Sequence, residues 1–180
     1  MGGVRILEFL TPAVAAEAVD WEEAYREEMP RVFNYFRYRG LERATAEDLT
    51  SATFEKAWRA RERYRKDRAA VPTWLLAIAR NVAIDHFRRS RPAVPLEDAA
   101  LRDDETPETA ALREAQGRRL RALLAALSER ERELLAFKYG AGATNRAIAT
   151  ITGLSESNVG TILHRTVDAL RERWDEGGRT

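Results

Sequence analysis

The sequence has no cysteine and only two histidines among its 180 residues. The lack of cysteine excludes disulfide bonds and thiolate metal sites, and it is compatible with a reducing cytoplasm. His86 and His164 lie far apart, and neither has further ligands at the spacing of a metal site. Because the chain also lacks a glycine-rich phosphate loop and a nucleophile elbow, we expect neither an enzyme nor a metal or cofactor site.

Long apolar runs are also missing from the sequence. Residues 1–20 contain several apolar side chains, but Glu8, Pro12 and Glu17 interrupt them. A signal peptide needs an unbroken apolar segment after a charged start, and a membrane span needs about 20 apolar residues. We therefore interpret residues 1–20 as an N-terminal extension, and we expect a cytoplasmic protein without membrane insertion.

The formal net charge is +1, which alone argues against a tight, autonomous nucleic-acid binder. The distribution of the charges is more informative than their sum. Residues 55–91 contain eleven Lys or Arg and four Asp or Glu, whereas residues 92–108 contain six acidic residues and one Arg. A basic block followed by an acidic block predicts a nucleic-acid surface and a separate, detached segment.

Residues 145–174 carry the pattern around which the chain is organised. Ala149, Gly153 and Val159 have the spacing of the small residue, the turn glycine and the buried anchor of a helix-turn-helix. Ser155 can cap the second helix, whose apolar residues recur at steps of three and four. An ordinary helical hairpin with a solvated polar face is the alternative interpretation. In a helix-turn-helix, the face that enters the DNA major groove would comprise Glu156, Ser157, Asn158, Gly160, Thr161, His164 and Arg165.

Apolar periodicity predicts three helices in the first half of the chain, at residues 21–40, 46–64 and 73–90. Thr45 and Asp48 resemble a capping box at the start of the second helix. Pro30, inside the first helix, is expected to kink it or to mark a boundary. The positions expected to face the core are Trp21, Tyr25, Met29, Val32, Phe33, Phe36, Leu49, Ala52, Phe54, Ala57, Trp58, Trp74, Leu75, Ile78, Ala79 and Val82.

The second half is also predicted to be helical. A helix is expected at residues 108–127, and Ser128 with Glu131 forms a capping box that starts another helix, which ends at Gly140. Proline and acidic residues oppose helix and collapse in the segment between the two halves. We therefore predict an all-α protein with two small helical domains and a flexible acidic linker. The expected divisions are an extension at 1–20, a first domain at 21–91, the linker at 92–107 and a second domain at 108–180.

AEDLTSATFEKAW, followed by PTWLLAIARNVAIDHFRR, resembles the first conserved domain of bacterial sigma-70 family initiation factors of the extracytoplasmic-function (ECF) class. LSERERELLAFKY, followed by the helix-turn-helix, is similar to their second conserved domain. The resemblance covers residues 21–174. The run WLLAIARNVAIDHFRR is its most diagnostic part, because many regulators share a helix-turn-helix.

The resemblance implies that the first domain recognises the −10 promoter element and helps to open it. Asn81 would hydrogen-bond to a base that has left the stack, Tyr64 would stack on a base, and cations would neutralise phosphates. The register of Trp74 favours core packing over a melting role, and Asp85 is expected to orient Arg88 or Arg89. The implied −10 contacts are Tyr64, Arg65, Lys66, Arg80, Asn81, Arg88 and Arg89.

The resemblance also implies two contacts with core RNA polymerase. The second helix would dock on the coiled coil of the largest subunit, and the second domain would touch the flap. Ser51 and Ala52 replace the Gln-Glu pair that is usual in the family. The acids at the start of this helix are alternatively explained as stabilising only their own helix dipole. The implied docking positions are Glu47, Asp48, Leu49, Phe54 and Trp58.

The second domain would read the −35 element. Ser157, Asn158 and Thr161 would approach base edges and Arg165 a phosphate or a guanine. His164 would lie at the surface or face the DNA. Gly160 stands where the family usually has Lys or Arg, so we expect weak −35 affinity in isolation. The acidic linker would thread through the polymerase cleft or act as a solvated spacer.

We therefore interpret the chain as an ECF-type sigma factor that binds core polymerase and promoter DNA. An anti-sigma factor is common in this class, although no residue identifies one. A stand-alone helix-turn-helix regulator and a sigma mimic that binds polymerase without starting transcription are the alternatives.

Overall fold

The computed structural model describes residues 19–89 and 107–176, without the side chains of residues 107–114 and 121. The predicted extension, apart from residues 19 and 20, and the predicted linker, apart from residue 107, lie outside the described residues. Within those residues the chain forms helices and no strand, which confirms the all-α prediction. The α-helices are α1 (Trp21–Tyr38), α2 (Arg43–Ala60), α3 (Val71–Arg89), α4 (Pro107–Ala125), α5 (Glu129–Leu135), α6 (Asn145–Thr152) and α7 (Glu156–Glu176).

Helices α1, α2 and α3 form the first domain around a shared apolar core. Asp20 caps α1, since its side chain accepts hydrogen bonds from the backbone N–H groups of Glu22 and Glu23, both at 3.0 Å. Helix α1 continues through Pro30, so the expected boundary there is wrong. Val32 and Phe36, both fully buried, hold the helix against the core after the proline.

Three apolar residues predicted to face the core are instead exposed. Tyr25, Met29 and Trp58 expose 49%, 39% and 56% of their surface, respectively. Thr50 and Thr53 are buried in α2, and their hydroxyls donate to the carbonyl oxygens one turn earlier, at 2.6 and 2.7 Å. Because these hydroxyls are satisfied within the helix, threonine can occupy core positions that the apolar pattern had assigned to other residues.

The predicted start of α2 is also wrong. The helix begins at Arg43 with Glu42 as the N-cap, which makes no side-chain capping bond, so Thr45 lies inside the first turn and forms no capping box. The helix ends at Ala60, and a 3₁₀ turn (Arg61–Arg63) replaces its predicted last turn.

Helix α3 begins at Val71, two residues before its predicted start. The prediction that Trp74 packs rather than projects into solvent is confirmed. Its ring lies 5.7 Å from that of Trp21 and 5.1 Å from that of Tyr64, measured between ring centroids. These three aromatic residues close one end of the first domain.

Helices α4 to α7 form the second domain. The capping box at the start of α5 is confirmed, because Ser128 Oγ accepts from the N–H of Glu131 while Glu131 accepts from the N–H of Ser128. A π-helical turn (Ala136–Gly140) follows α5. Arg119 of α4 donates to the carbonyl oxygen of Trp174 and lies over its ring, which ties α4 to α7.

Helices α6 and α7 form the predicted helix-turn-helix. Gly153 ends α6 in the left-handed conformation, with φ of 76°, which favours glycine. Ser155 Oγ accepts from the N–H of Asn158 at 3.2 Å and so caps α7. Val159 is fully buried, as expected for the anchor of the second helix.

The two domains pack against each other and share one continuous core. The ring of Tyr35 in α1 stacks on that of Phe137, with 4.6 Å between centroids. Helix α1 contacts the π-helical turn, and α3 contacts α6. The first domain is therefore held against the π-helical turn and against α6, the first helix of the helix-turn-helix.

Candidate polymerase and DNA interfaces

An apolar groove of about 580 Å³ runs between α1 and α2. Tyr25 packs edge-on against Phe54, with 4.6 Å between ring centroids. Trp58 forms part of the wall, and the guanidinium of Arg61 lies over its ring, 4.1 Å from the centroid. The groove is lined by Trp21, Glu22, Ala24, Tyr25, Ser51, Phe54, Glu55, Ala57, Trp58 and Leu75.

Four of the five predicted polymerase contacts point outward or line this groove. Glu47 and Asp48 are exposed, while Phe54 and Trp58 line the groove. Leu49 is partly buried against the core, about half a turn round the helix from Trp58. The expectation that Glu47 and Asp48 sit at the helix start is wrong, because α2 begins at Arg43 and its first turn contains no acid. Glu47 lies in the second turn, where it accepts a hydrogen bond from Arg43 at 2.9 Å. The structure therefore joins two exposed acids to an aromatic groove and leaves Leu49 on the inner side.

Sequence reasoning missed the contribution of α1 to this surface. Trp21 and Tyr25 line the groove beside α2, although their spacing had placed them in the core. An apolar stripe looks the same whether a neighbouring helix covers it or leaves part of it open. The chain therefore contains no local signal that could have distinguished the two arrangements.

The outer face of α3 presents Asn81, Arg88 and Arg89, which are all exposed. Asn81 and Arg88 are seven residues apart, a spacing that places both on one side of a helix. Asp85 accepts a hydrogen bond from Arg88 at 3.2 Å, as expected, and also lies 3.7 Å from Lys56 Nζ. The result is a polar and basic surface that can approach a nucleic-acid backbone.

The loop before α3 supplies three of the predicted −10 residues. Tyr64 packs against the rings of Trp21 and Trp74. Its hydroxyl donates to the carbonyl oxygen of Ala69 at 2.9 Å, and burial raises the pKa of its phenol. Arg65 pairs with Asp67 at 3.0 Å and thereby lowers the pKa of that carboxyl group. Lys66 is exposed. Arg65 and Lys66 thus face solvent from a loop that Tyr64 anchors to the first domain.

Arg80 differs from the other predicted −10 residues. It is half-buried, and its guanidinium donates to the Glu133 carboxylate of the second domain, with Nε 2.9 Å from Oε1. The adjacent Asn81 faces solvent. In this arrangement the structure does not bring Arg80 together with the exposed residues of α3.

The five predicted −35 contacts lie along the exposed face of α7. Ser157, Asn158, Thr161, His164 and Arg165 are all exposed over the first three turns of that helix. Thr161 donates to the carbonyl oxygen of Ser157 at 3.0 Å, and His164 Nδ1 lies 2.6 Å from Asp168. This face is continuous and polar, and it has the placement that a major-groove reading helix requires.

Neither steric crowding nor the backbone conformation requires glycine at position 160. It lies inside α7 without a positive φ, and a Cβ atom there would meet Asn145 Nδ2 at 3.5 Å, an ordinary contact. A methyl group at this position would therefore fit against Asn145 without a clash.

Neither a metal centre nor a membrane helix is found where the structure describes the chain. In residues 19–89 and 107–176, no three His, Asp or Glu side chains group to hold a metal ion. In the same part of the chain, no helix is long and apolar enough to cross a membrane.

Comparisons with known proteins match both domains. The family model for Sigma-70 region 2 matches residues 24–92, and that for Sigma-70, region 4 matches residues 117–170. The ECF RNA polymerase sigma factor SigL of Mycobacterium tuberculosis is 32% identical over 170 residues, which cover 93% of this chain and 96% of SigL.

Two further proteins agree with these matches. The ECF RNA polymerase sigma factor BldN of Streptomyces coelicolor is 29% identical over 170 residues, which cover 92% of this chain but 64% of BldN. A solved structure of the sigma factor RpoE in complex with the anti-sigma factor NepR, from Bartonella quintana, has a similar fold. Its TM-score is 0.69 at 18% identity, covering 87% of this chain and 97% of that one. The chain therefore belongs to the sigma-70 family of RNA polymerase sigma factors, in the extracytoplasmic-function class.

Proposed function

We propose that this protein binds core RNA polymerase, directs it to promoters and helps to open the −10 region. The observation that carries the proposal is the presence, in one chain, of a region 2 match and a region 4 match, each with an exposed surface suited to its role. The protein acts through binding energy and catalyses no reaction of its own. Its proposed location is the cytoplasm, where bacterial polymerase and promoters are found.

The groove between α1 and α2 is the proposed docking surface for the coiled coil of the largest polymerase subunit. Aromatic residues are enriched in the buried centres of protein interfaces, and Trp58 is a large aromatic side chain left open to solvent. The exposed acids Glu47 and Asp48, in the second turn of α2, would complement a basic partner helix. Leu49 is proposed to pack α2 against the core of the first domain and not to touch the polymerase.

The outer face of α3 and the loop before it are the proposed −10 surface. The amide of Asn81 can both donate to and accept from the edge of an unstacked base. Arg65, Lys66 and Arg88 lie where they can neutralise nearby phosphates, and Arg89 extends the same basic surface. Tyr64 is proposed to form the wall of the base pocket with an edge of its ring, since its hydroxyl is already bonded to Ala69.

Helix α7 is the proposed reader of the −35 element. Ser157, Asn158 and Thr161 lie near its N-terminus, where a recognition helix meets base edges. Residues 128–174 contain seven Lys or Arg and six Asp or Glu, so electrostatic attraction to DNA is weak. Binding to polymerase would supply the remaining affinity by raising the effective concentration of the promoter.

An anti-sigma factor is a further proposed partner, as in the RpoE–NepR complex, to which this fold is similar. The proposed divisions of the chain are region 2 at 21–91, a linker at 92–107 and region 4 at 108–180. The first range begins three residues before its family match and ends one residue before the match ends. The second begins nine residues before its match and ends ten residues after it.

Binding to core polymerase tests the proposal directly. The full chain is mixed with purified core polymerase, and complex formation is measured by size-exclusion chromatography and by titration of a fluorescent label. We expect a one-to-one complex that binds promoter DNA more tightly than either component does. A chain that binds duplex DNA but not core polymerase would instead be a stand-alone regulator, and a complex that never starts transcription would be a sigma mimic.

A further inference from the structure

Three side chains on α7 form a line of contacts beside its reading face. Nδ1 of His164 lies 2.6 Å from Oδ2 of Asp168, one turn further along the helix. The other carboxylate oxygen, Oδ1, lies 3.4 Å from Nη1 of Arg171. Residues three and four apart are neighbours on the surface of a helix, so this spacing lets Asp168 contact both partners. The carboxylate is thus held from both sides, by the imidazole and by the guanidinium.

The distance between His164 and Asp168 determines where the imidazole carries its proton. Nδ1 and a carboxylate oxygen both have lone pairs, and two such atoms 2.6 Å apart repel each other unless a proton lies between them. An ionised carboxylate can only accept, so Nδ1 is the protonated nitrogen. A neutral imidazole has a single N–H group, and Nε2 is therefore left as an acceptor.

The second ring nitrogen of His164 is available to a ligand. The side chain is 77% exposed, and Nε2 has no hydrogen-bond partner among residues 19–89 and 107–176. His164 is three residues from Thr161, on the polar face of α7 that is proposed to enter the major groove. Gly160, one turn before His164, has no side chain that could cover the ring, and both residues line a hollow of about 230 Å³. A base edge can therefore reach Nε2 without displacing another side chain.

The contact between His164 and Asp168 adds little to the stability of the fold, because exposed ion pairs contribute little. Lys138, which lines the same hollow, donates to Asn145 Oδ1 at 3.1 Å and so has a partner of its own. What the contact controls is the tautomer of the imidazole, because truncation of Asp168 would leave Nδ1 without its acceptor.

We infer that His164 reads a base with an exocyclic amino group, adenine or cytosine, and that Asp168 is the positioning residue that fixes the required tautomer. In the major groove, adenine N6 and cytosine N4 are donors, whereas guanine N7 and O6 and thymine O4 are acceptors. An unprotonated Nε2 accepts from the amino groups and is repelled by the acceptors. This inference rests on the proposed function, because α7 is assigned to the −35 element there.

The tautomer is measured by NMR on the full chain labelled with nitrogen-15. Spectra that correlate ring protons with ring nitrogens distinguish the two tautomers, and they are recorded near pH 8.5, where ordinary imidazoles are neutral. The chain has two histidines, so His86 is an internal reference. We expect the Nδ1–H form to predominate at His164 and Asp168→Ala to shift the ring toward the Nε2–H form. Asp175→Ala, which truncates an exposed acid of the same helix, is the matched control and should leave His164 unchanged.

The base preference is measured by transcription with core polymerase from a randomised promoter library. We expect one position of the −35 element to favour adenine or cytosine on one strand by about fivefold, the contribution of one hydrogen bond. His164→Ala should abolish that preference, and Asp168→Ala should weaken it at the same position. The double variant should resemble His164→Ala alone, because Asp168 acts only through the imidazole. Asp175→Ala should keep the full preference.

Two kinds of result would overturn the inference and leave the proposed function intact. An Nε2–H form at His164 in the unmodified chain would show that Asp168 does not set the tautomer. A −35 preference that is independent of His164 or Asp168, or one for guanine or thymine at the position that depends on His164, would show that Nε2 does not act as the acceptor. The absence of any protein-dependent start site would instead be a failure of the proposed function, and the base assignment would fall with it, whereas the NMR result would stand.

Discussion

The guanidinium of Arg61 lies over the indole ring of Trp58, with its Cζ atom 4.1 Å from the ring centroid. Arg61 also donates to the backbone carbonyl oxygen of Trp58 at 2.8 Å, which holds the guanidinium where it supports one face of the exposed ring. A large aromatic side chain that is ordered before binding loses little entropy when a partner covers it. This geometry explains why we place Trp58 at the centre of the polymerase-docking groove.

Replacing Trp58 with Ala should weaken binding to core polymerase by about 2 kcal/mol, a roughly 30-fold rise in Kd, because aromatic anchors dominate such interfaces. The thermal unfolding midpoint should change little, since more than half of the side chain is exposed. Titration of labelled protein with core polymerase measures the effect. Leu120→Ala, a truncation of another exposed apolar side chain outside the groove, is the control. Equal affinities for the Trp58 variant and the unmodified chain would remove the groove from the interface.

The same chemical change at two asparagines should affect two different promoter elements. Asn81→Ala removes the amide proposed to read the −10 base, and Asn158→Ala removes one proposed to read the −35 element. We expect about a tenfold loss of transcription in each case, from one lost base contact. Sequencing of transcripts from a randomised promoter library should show relaxed −10 preference in the first variant and relaxed −35 preference in the second. Relaxation of the same element in both variants would contradict this assignment.

Gly160→Arg should strengthen binding to duplex −35 DNA. A Cβ atom fits at this position, and one added phosphate contact should steepen the salt dependence of log K by about one unit. Both Gly160→Arg and the control Gly160→Ala should raise the free energy of unfolding by about 0.5–1 kcal/mol, because glycine is unfavourable inside a helix. DNA titrations at several salt concentrations separate the two effects. An equal salt slope for both variants would place residue 160 away from the DNA backbone.

The capping box of α5 predicts a pH dependence of stability. Its hydrogen bonds to Ser128 lower the pKa of Glu131 from the ordinary value of 4.5. A carboxyl group whose pKa is lower in the folded state stabilises the fold above its unfolded pKa, and that contribution is lost as the pH falls through the folded value. Glu131→Gln keeps an acceptor for the N–H of Ser128 but loses the negative charge, so it should lower the free energy of unfolding by about 0.5 kcal/mol at pH 7. Chemical denaturation between pH 7 and pH 3 should show this difference shrinking below pH 4.5, and a difference independent of pH would be evidence against the assignment.

Local sequence signals predicted the features that depend on neighbouring residues. Three such features are the cap formed by Ser128 and Glu131, the turn at Gly153 and the cap at Ser155. Each depends on residues no more than four positions apart, so the local sequence is enough to predict it. The outward face of α7 follows from helical periodicity once Val159 is known to point inward.

Features that depend on distant residues were not predicted. Arg39 and Arg80 meet Glu133 only because the two domains pack together, at sequence separations that no periodicity reveals. The exposure of Tyr25 has the same cause, since it depends on how far α2 covers α1. The assignment of Arg80 to the −10 surface therefore remains a prediction, because Glu133 of the second domain holds its guanidinium in this structure.

Transcription by core polymerase from a randomised promoter library, with and without the protein, tests the central claim most directly. We predict new start sites that appear only with the protein and share two spaced motifs, one near −10 and one near −35. The absence of protein-dependent start sites, from a preparation that binds core polymerase, would contradict the claim that this chain directs promoter-specific initiation.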